Sequence, residues 1–126
     1  MCRFGLYWRN VFSAVSLVLF ASSSFAIDVE QSQAITHLLE FVRTSGCQFK
    51  RNGTWHDSES AANHIQRKYD YANNKGVIAD AEDFIQYAAT ESSWTGIDYV
   101  VKCPKQSEQT SSDWLHSELT RYRSKK

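Results

Sequence analysis

The sequence lacks an excess of charge of either sign: 14 Lys and Arg stand against 14 Asp and Glu in 126 residues. Phosphate-backbone binding draws most of its affinity from a strong positive field, so nucleic acid is not expected as a partner. Its most apolar stretch, "VFSAVSLVLFA", covers about a dozen residues, short of the roughly 20 that a membrane-spanning helix requires. No serine sits in a G-x-S-x-G nucleophile elbow, no cysteines form a C-x-x-C pair, and no histidines stand four apart as on a metal-binding helix. No cofactor motif and no internal repeat is present. These absences remove the sharpest signals for a hydrolase, a thiol oxidoreductase, a zinc site and a cofactor enzyme. No catalytic residue, metal ligand or cofactor is therefore assigned.

What is present begins with an export signal. Arg3 and Arg9 form a short positive region, the apolar run follows, and "SSSFA" ends with Ser24 and Ala26 in the small-residue spacing of a cleavage site. Cys2 precedes the apolar run and so is not the cysteine a lipoprotein would modify. The expectation is a cleavable signal peptide over residues 1–26 and a soluble periplasmic product over 27–126, with no membrane span left after cleavage; a retained signal anchor is the alternative. Without Arg3 and Arg9, 12 basic residues face 14 acidic ones, a net charge near −2. About 100 residues make one small domain.

Of the three cysteines, Cys47 and Cys103 remain after cleavage. In an exported domain they are most simply a disulfide, with a redox pair or metal ligation as rivals. If bonded, they bring the start of one strand against the end of another. Those strands then run antiparallel, with the first one central.

From Ser32 to Thr44, Ile35, Leu38, Leu39 and Val42 recur at helical spacing, and Gly46 is placed to end the helix. His37 falls on its wet side and Phe41 flanks the apolar stripe. "CQFKRNGTWHD" reads as a hairpin about Asn52-Gly53, because a type I′ turn needs positive φ at both central residues. In that register Phe49 faces His56, Lys50 faces Trp55 and Arg51 faces Thr54. Alternation puts Cys47, Phe49, Arg51, Thr54 and His56 on one side and Lys50 with Trp55 on the other. Asp57 or Ser58 caps a helix to about Ala72, buried through Ala61, Ala62, Ile65, Tyr69 and Ala72, with His64 and Lys68 one turn apart at its margin. A third helix is expected from about Ala79 to Thr90. "IDYVVKCP" is a strand with Ile97, Tyr99, Val101 and Cys103 inward, stopped by Pro104. "KQSEQTSS" is a polar loop before a last helix starting near Asp113. The order is α-β-β-α-α-β-α: an α+β domain with helices on one face of a small three-stranded antiparallel sheet.

The stretches "FKRNG", "AANHIQRKY", "AEDFI" and "SSWTGIDYVVKCP" occur in that order, and with them the chain resembles the YfeK-like family of small exported bacterial proteins, a domain of unknown function. The resemblance covers nearly all of residues 27–126. It implies export and one compact domain and no settled activity. The chain departs from the pattern at Asp98, where a proline is expected before Tyr99. Cysteines are not universal in the family, which implies a stabilising role for the pair.

The residue types of a Ser-His-acid triad exist in Ser92 or Ser93, His64 and Asp80, Glu82 or Asp83. Serines directly after a helix more often organise a turn, and acids in a first helical turn are favoured by its dipole. His56 and His64 meet across the hairpin–helix corner in a metal-carrier reading. The leading expectation is instead a non-catalytic binding or interaction protein, contacting an unknown envelope protein or small ligand. Its candidate surface is Arg51, Asn52, Trp55, His64, Lys68 and Trp94, with Arg51 offering a planar fork to an anion and the two tryptophans as anchors. A small hydrolase and a metal-binding carrier are the alternatives.

Overall fold

The computed structural model describes residues 16–18 and 27–126. The expected signal peptide lies almost wholly outside the described residues. Among the described residues no helix is long and apolar enough to cross a membrane.

Helix α1 spans Val29–Thr44 and starts at Asp28, whose carboxylate accepts the Gln31 N–H at 2.9 Å, satisfying one of the free donors of the first turn. Its inward residues Ala34, Ile35, Leu38, Leu39 and Val42 are all buried. Gly46 follows with φ +67°, the left-handed conformation that ends a helix and that glycine adopts without steric cost. Strands β1 (Gln48–Arg51) and β2 (Thr54–His56) form the expected hairpin, pairing Phe49 with His56, Lys50 with Trp55 and Arg51 with Thr54. Asn52 and Gly53 both have positive φ, 49° and 82°. Helices α2 (Ser58–Asn74) and α3 (Ala81–Ala88) follow, then β3 (Val100–Lys102), β4 (Gln109–Thr110) and α4 (Ser111–Ser124).

The chain is thus α+β, with four helices and a four-stranded antiparallel sheet in the order β2-β1-β3-β4. β1 is central, with Gln48 opposite Lys102, Phe49 opposite Val101 and Lys50 opposite Val100. Cys47 and Cys103 are disulfide-bonded just beyond that pairing, 56 residues apart in sequence with Cα atoms 4.2 Å apart. The helices cover one face of the sheet. Phe49 and Val101 are buried beneath them, while Gln48, Trp55 and Lys102 on the other face are exposed. Leu38, Val42, Phe84, Ile85 and Leu115 meet in the centre with no exposed surface, each such side chain contributing roughly 1.5–3 kcal/mol by leaving water.

Three expectations are corrected. The sheet has four strands, not three, because the segment read as a loop contains β4. After Pro104, Lys105 takes φ +61° and the Gln106 N–H bonds the Cys103 carbonyl at 3.1 Å, a tight reversal that lays Gln109 and Thr110 against Val101 and Val100. Ile97 is not inward but 55% exposed. The chain turns there, with the Ser92 N–H bonded to the Ile97 carbonyl at 3.0 Å, and β3 begins only at Val100. His37 is not simply on the wet side. Its Nε2 lies 2.7 Å from the Glu118 carboxylate and its ring stacks on Tyr122 at 4.3 Å. Burial alone would raise the Glu118 carboxyl, but hydrogen bonds from Arg121 and His37 together hold it below the usual range. Helix limits shift by a turn or less: α2 runs on to Asn74, α3 is shorter at both ends, and α4 starts at Ser111, capped by the Thr110 hydroxyl. Trp114 is buried on α4, stacked on Phe41 at 4.5 Å and edge-on to Phe49 at 5.5 Å.

Because the disulfide closes a long loop in the unfolded chain, replacing both cysteines with Cys47→Ser and Cys103→Ser is expected to lower unfolding free energy by about 4 kcal/mol on the chain-entropy account. Urea denaturation with and without reductant measures it. A loss below about 1 kcal/mol would show that the β1–β3 ladder alone holds those ends in place.

Candidate functional site

The site is assembled where three segments distant in sequence converge. Helix α2 leaves the hairpin at once, its N-cap Asp57 accepting the Ser60 N–H at 2.8 Å. Burial of Ala61, Ala62, Ile65 and Ala72 fixes the rotation of this helix about its axis. His64 and Lys68 are left half-buried at the edge of the apolar stripe. β1 carries Arg51 to the tip of the hairpin beside them. The pairing of β3 with β1 then brings in Tyr99, 5% exposed, and with it the loop of residues 91–98.

Tyr99 is the hub. Lys68 Nζ donates to its phenol oxygen at 3.1 Å and to the Glu91 carbonyl at 2.6 Å. His64 Nε2 lies 3.2 Å from the same phenol oxygen. Since an ammonium can only donate, the phenol oxygen accepts from Lys68 and its proton points to the imidazole. That assignment suits a neutral ring with its own hydrogen on Nδ1. Burial, and then the positive charges of Arg51, Lys68, Arg67 and His56, push the His64 pKa down to about 4. Lys68 is also lowered, by burial first; Glu91 works against the shift and Arg51 with it. Tyr99 is raised by burial, with Arg51 opposing and Glu91 assisting.

Asn52 has two tasks. Its backbone makes the hairpin turn, and its side chain ties the hairpin tip to the 91–98 loop. The amide donates to Ser92 Oγ at 3.2 Å, and the amide oxygen accepts from the Thr95 hydroxyl at 2.8 Å. Ser92 Oγ also accepts the Trp94 and Thr95 N–H groups at 3.3 and 3.4 Å. Ser92 is therefore a turn organiser, and the turn it holds presents Trp94 with 97% of its surface exposed.

Two clefts open on this side, of about 170 and 450 Å3, both bordered by His64, Lys68 and Ser93. Arg51, Asn52 and Trp94 line the smaller; Arg67, Tyr71, Lys75 and Tyr87 line the larger. A cavity of about 20 Å3, room for about one water, shares Arg51, His64 and Tyr99 with the smaller cleft and reaches the fully buried Ser111, whose hydroxyl has no hydrogen-bond partner among the described residues. Every ion pair among the described residues lies elsewhere: His37 and Arg121 with Glu118, Arg43 with Glu40, Arg123 with Glu82, and Lys126 with Glu30. Arg51, Arg67, Lys68 and Lys75 are left without a carboxylate partner, which makes the cleft an attractive place for a negative group.

Of the six candidate surface residues, Arg51, Asn52, His64, Lys68 and Trp94 come together around one cleft. Trp55 does not. It faces the opposite side of the sheet, where Lys50 Nζ lies 5.6 Å from its ring centre, as the hairpin alternation requires. His56 and His64 border the small inner cavity together, but among the described residues no group of three or more His, Cys, Asp or Glu is placed to hold a metal. Neither Ser92 nor Ser93 hydrogen-bonds His64 among the described residues, whose Nε2 is taken by Tyr99. Asp80 caps α3, Asp83 accepts the Ala79 N–H and Glu82 pairs with Arg123, so these acids serve the helix and its packing. Sequence reasoning missed Arg67, Tyr71, Lys75 and Tyr87. The signal was there for two of them: His64, Lys68, Tyr71 and Lys75 repeat at steps of four, three and four along α2.

Residues 29–123 match the model of a Family of unknown function (DUF5329), and the chain belongs to that family. No curated protein and no solved structure matches it.

The unfolded imidazole titrates near 6.5 and the folded one near 4, so between those values the unfolded chain binds more protons. Stability that His64 supplies at neutral pH is therefore lost as pH falls through that window. Two-dimensional NMR should find the His64 ring unprotonated at pH 5.5, and His64→Gln should flatten the fall in unfolding free energy between pH 6.5 and 4; a titration midpoint near 6.5 would contradict this. Asn52→Gly keeps the turn geometry and removes the side-chain tie. It is expected to cost about 1–2 kcal/mol and to speed amide exchange over residues 92–97, with β1–β2 exchange little changed.

Proposed function

We propose that this member of the DUF5329 family is an exported, non-catalytic binding protein that holds an anionic partner in the cleft between α2, the hairpin tip and the 91–98 loop. The observation that carries the reading is the gathering of Arg51, Arg67, Lys68 and Lys75 without a carboxylate partner. Cations held close together raise one another's energy, and a bound anion relieves that cost while gaining charge-assisted hydrogen bonds. Part of the site is held before anything binds, since Lys68 is fixed by Tyr99 and the Glu91 carbonyl and the 91–98 loop by Asn52. Preorganisation of that kind lowers the entropy lost on association.

The bacterial periplasm is the proposed location. Its support is the export pattern around Arg3, Arg9 and Ala26 and the Cys47–Cys103 bond, because structural disulfides persist in oxidising compartments. The narrower YfeK-like kinship belongs to the same proposal, on "AANHIQRKY" and "SSWTGIDYVVKCP". Binding is favoured over hydrolysis by the engagement of His64 with Tyr99 and of Ser92 with its own turn. It is favoured over metal carriage by the solitary His56–His64 pairing at the inner cavity.

Site-specific photocrosslinking in living cells tests the reading. A photoreactive residue in place of Ser93 lies in the cleft, and one in place of Gln48 lies on the exposed far face of the sheet. A discrete adduct, seen by intact mass or gel shift, is expected from Ser93 only and is expected to be lost with Arg51→Ala. Equal adducts from both positions, or none from Ser93 in folded protein, would remove this face from any binding role.

A further inference from the structure

We infer that the occupant of this cleft is an acidic, partly apolar peptide segment of a partner protein, lying extended along the outer side of α2. The inference rests on the binding reading above and adds the class of partner.

The first argument is the shape of the charge. His64, Lys68 and Tyr71 on α2, with Lys75 at its C-cap, form one stripe and border the larger cleft. At the helical rise the stripe spans about 16 Å, and Arg51 extends it at the hairpin end. A free phosphate or carboxylate fills one point of that length. An extended peptide covers it with about five residues, placing acidic side chains at the Arg51 and Lys75 ends.

The second argument is what lies between the cations. Tyr71 is 68% exposed, Tyr87 45% and Val77 43%, and all three border the larger cleft. These apolar walls interrupt the positive charge instead of surrounding it. A ligand matching them carries acidic and apolar groups in turn along one face, which an extended peptide presents at every second residue. Trp94 stands at the open end, fully presented by the Ser92-organised turn. Tryptophan, tyrosine and arginine are the residues on which protein–protein binding energy concentrates.

Two other polyanions meet the charge less completely. A sulfated glycan offers hydroxyls where Val77 and Ala72 offer no hydrogen bond. An anionic bilayer is broad and flat, whereas these cations border concave clefts.

The test measures fluorescence anisotropy of a labelled Glu-Ser-Leu-Ser-Glu peptide, whose acidic ends and central leucine share one face when extended, with the oxidised protein, against the Gln-Ser-Leu-Ser-Gln peptide, with heparin and phosphatidylglycerol vesicles as alternative ligands. The acidic peptide is expected to bind at least about tenfold tighter than its amide counterpart. Arg51→Ala and Lys75→Ala should each weaken it by about three- to tenfold, and Trp55→Ala, on the far face, should leave it unchanged. Circular dichroism confirms that each variant is folded. Equal binding of the two peptides, or no binding of either, overturns the proposal. Heparin or vesicle binding that exceeds peptide binding and is lost in Arg51→Ala also overturns it, while leaving the anionic cleft itself standing. Failure of the cleft shows separately, as the absence of any crosslink from Ser93.

Discussion

The pairing of β1 with β3 is the constraint on which the rest of the structure depends. It joins residue 48 to residue 102 across two helices and a long loop, so it is the costliest contact in chain entropy that the sheet makes. The Cys47–Cys103 bond sits at its end and reduces that cost by restricting the unfolded chain. Phe49 and Val101, opposite each other in the ladder, are both buried under the helices. Once this pair is formed, the hairpin on one side and the β3–β4 reversal on the other have a place to dock.

The candidate site is a consequence of that pairing. Tyr99 lies one residue before β3 and reaches His64 and Lys68 only because β3 is laid along β1 next to α2. The same register brings Ser92 and Thr95 to the side chain of Asn52. His64, Lys68 and Tyr99 are thus spent on one another, while Arg51, Arg67 and Lys75 form none of the five ion pairs among the described residues. Trp94 stands almost fully in water at a turn braced by three hydrogen bonds to one hydroxyl.

Much of the fold was legible in residue pattern. The apolar spacing of Ile35, Leu38, Leu39 and Val42 specifies α1 because burial follows the helical period. Asn52-Gly53 specifies both hairpin and register, since few other dipeptides accept positive φ twice. β4 was not legible: two polar residues carry no alternation, and their pairing depends on Lys105 taking a left-handed conformation unusual for its type. Ile97 misled for the opposite reason. It continues the alternation of Tyr99 and Val101, but the Ser92–Ile97 turn withdraws it from the sheet. His37 was placed in water by its own helix and recovered by α4, which no local pattern could foresee.

The sequence by itself determined the balanced charge, the helices, the hairpin with its register and the pairing of two cysteines, because each of these follows from local periodicity, turn chemistry or simple counting. It also named Arg51, Asn52, His64, Lys68 and Trp94 one by one. Only the tertiary structure decided that these five share a cleft while Trp55 does not, that Tyr99 links His64 to Lys68, and that the surrounding cations form no ion pair among the described residues. Those relations depend on distances between segments far apart in the chain, and such distances are set by which faces bury together, not by any residue's own neighbours.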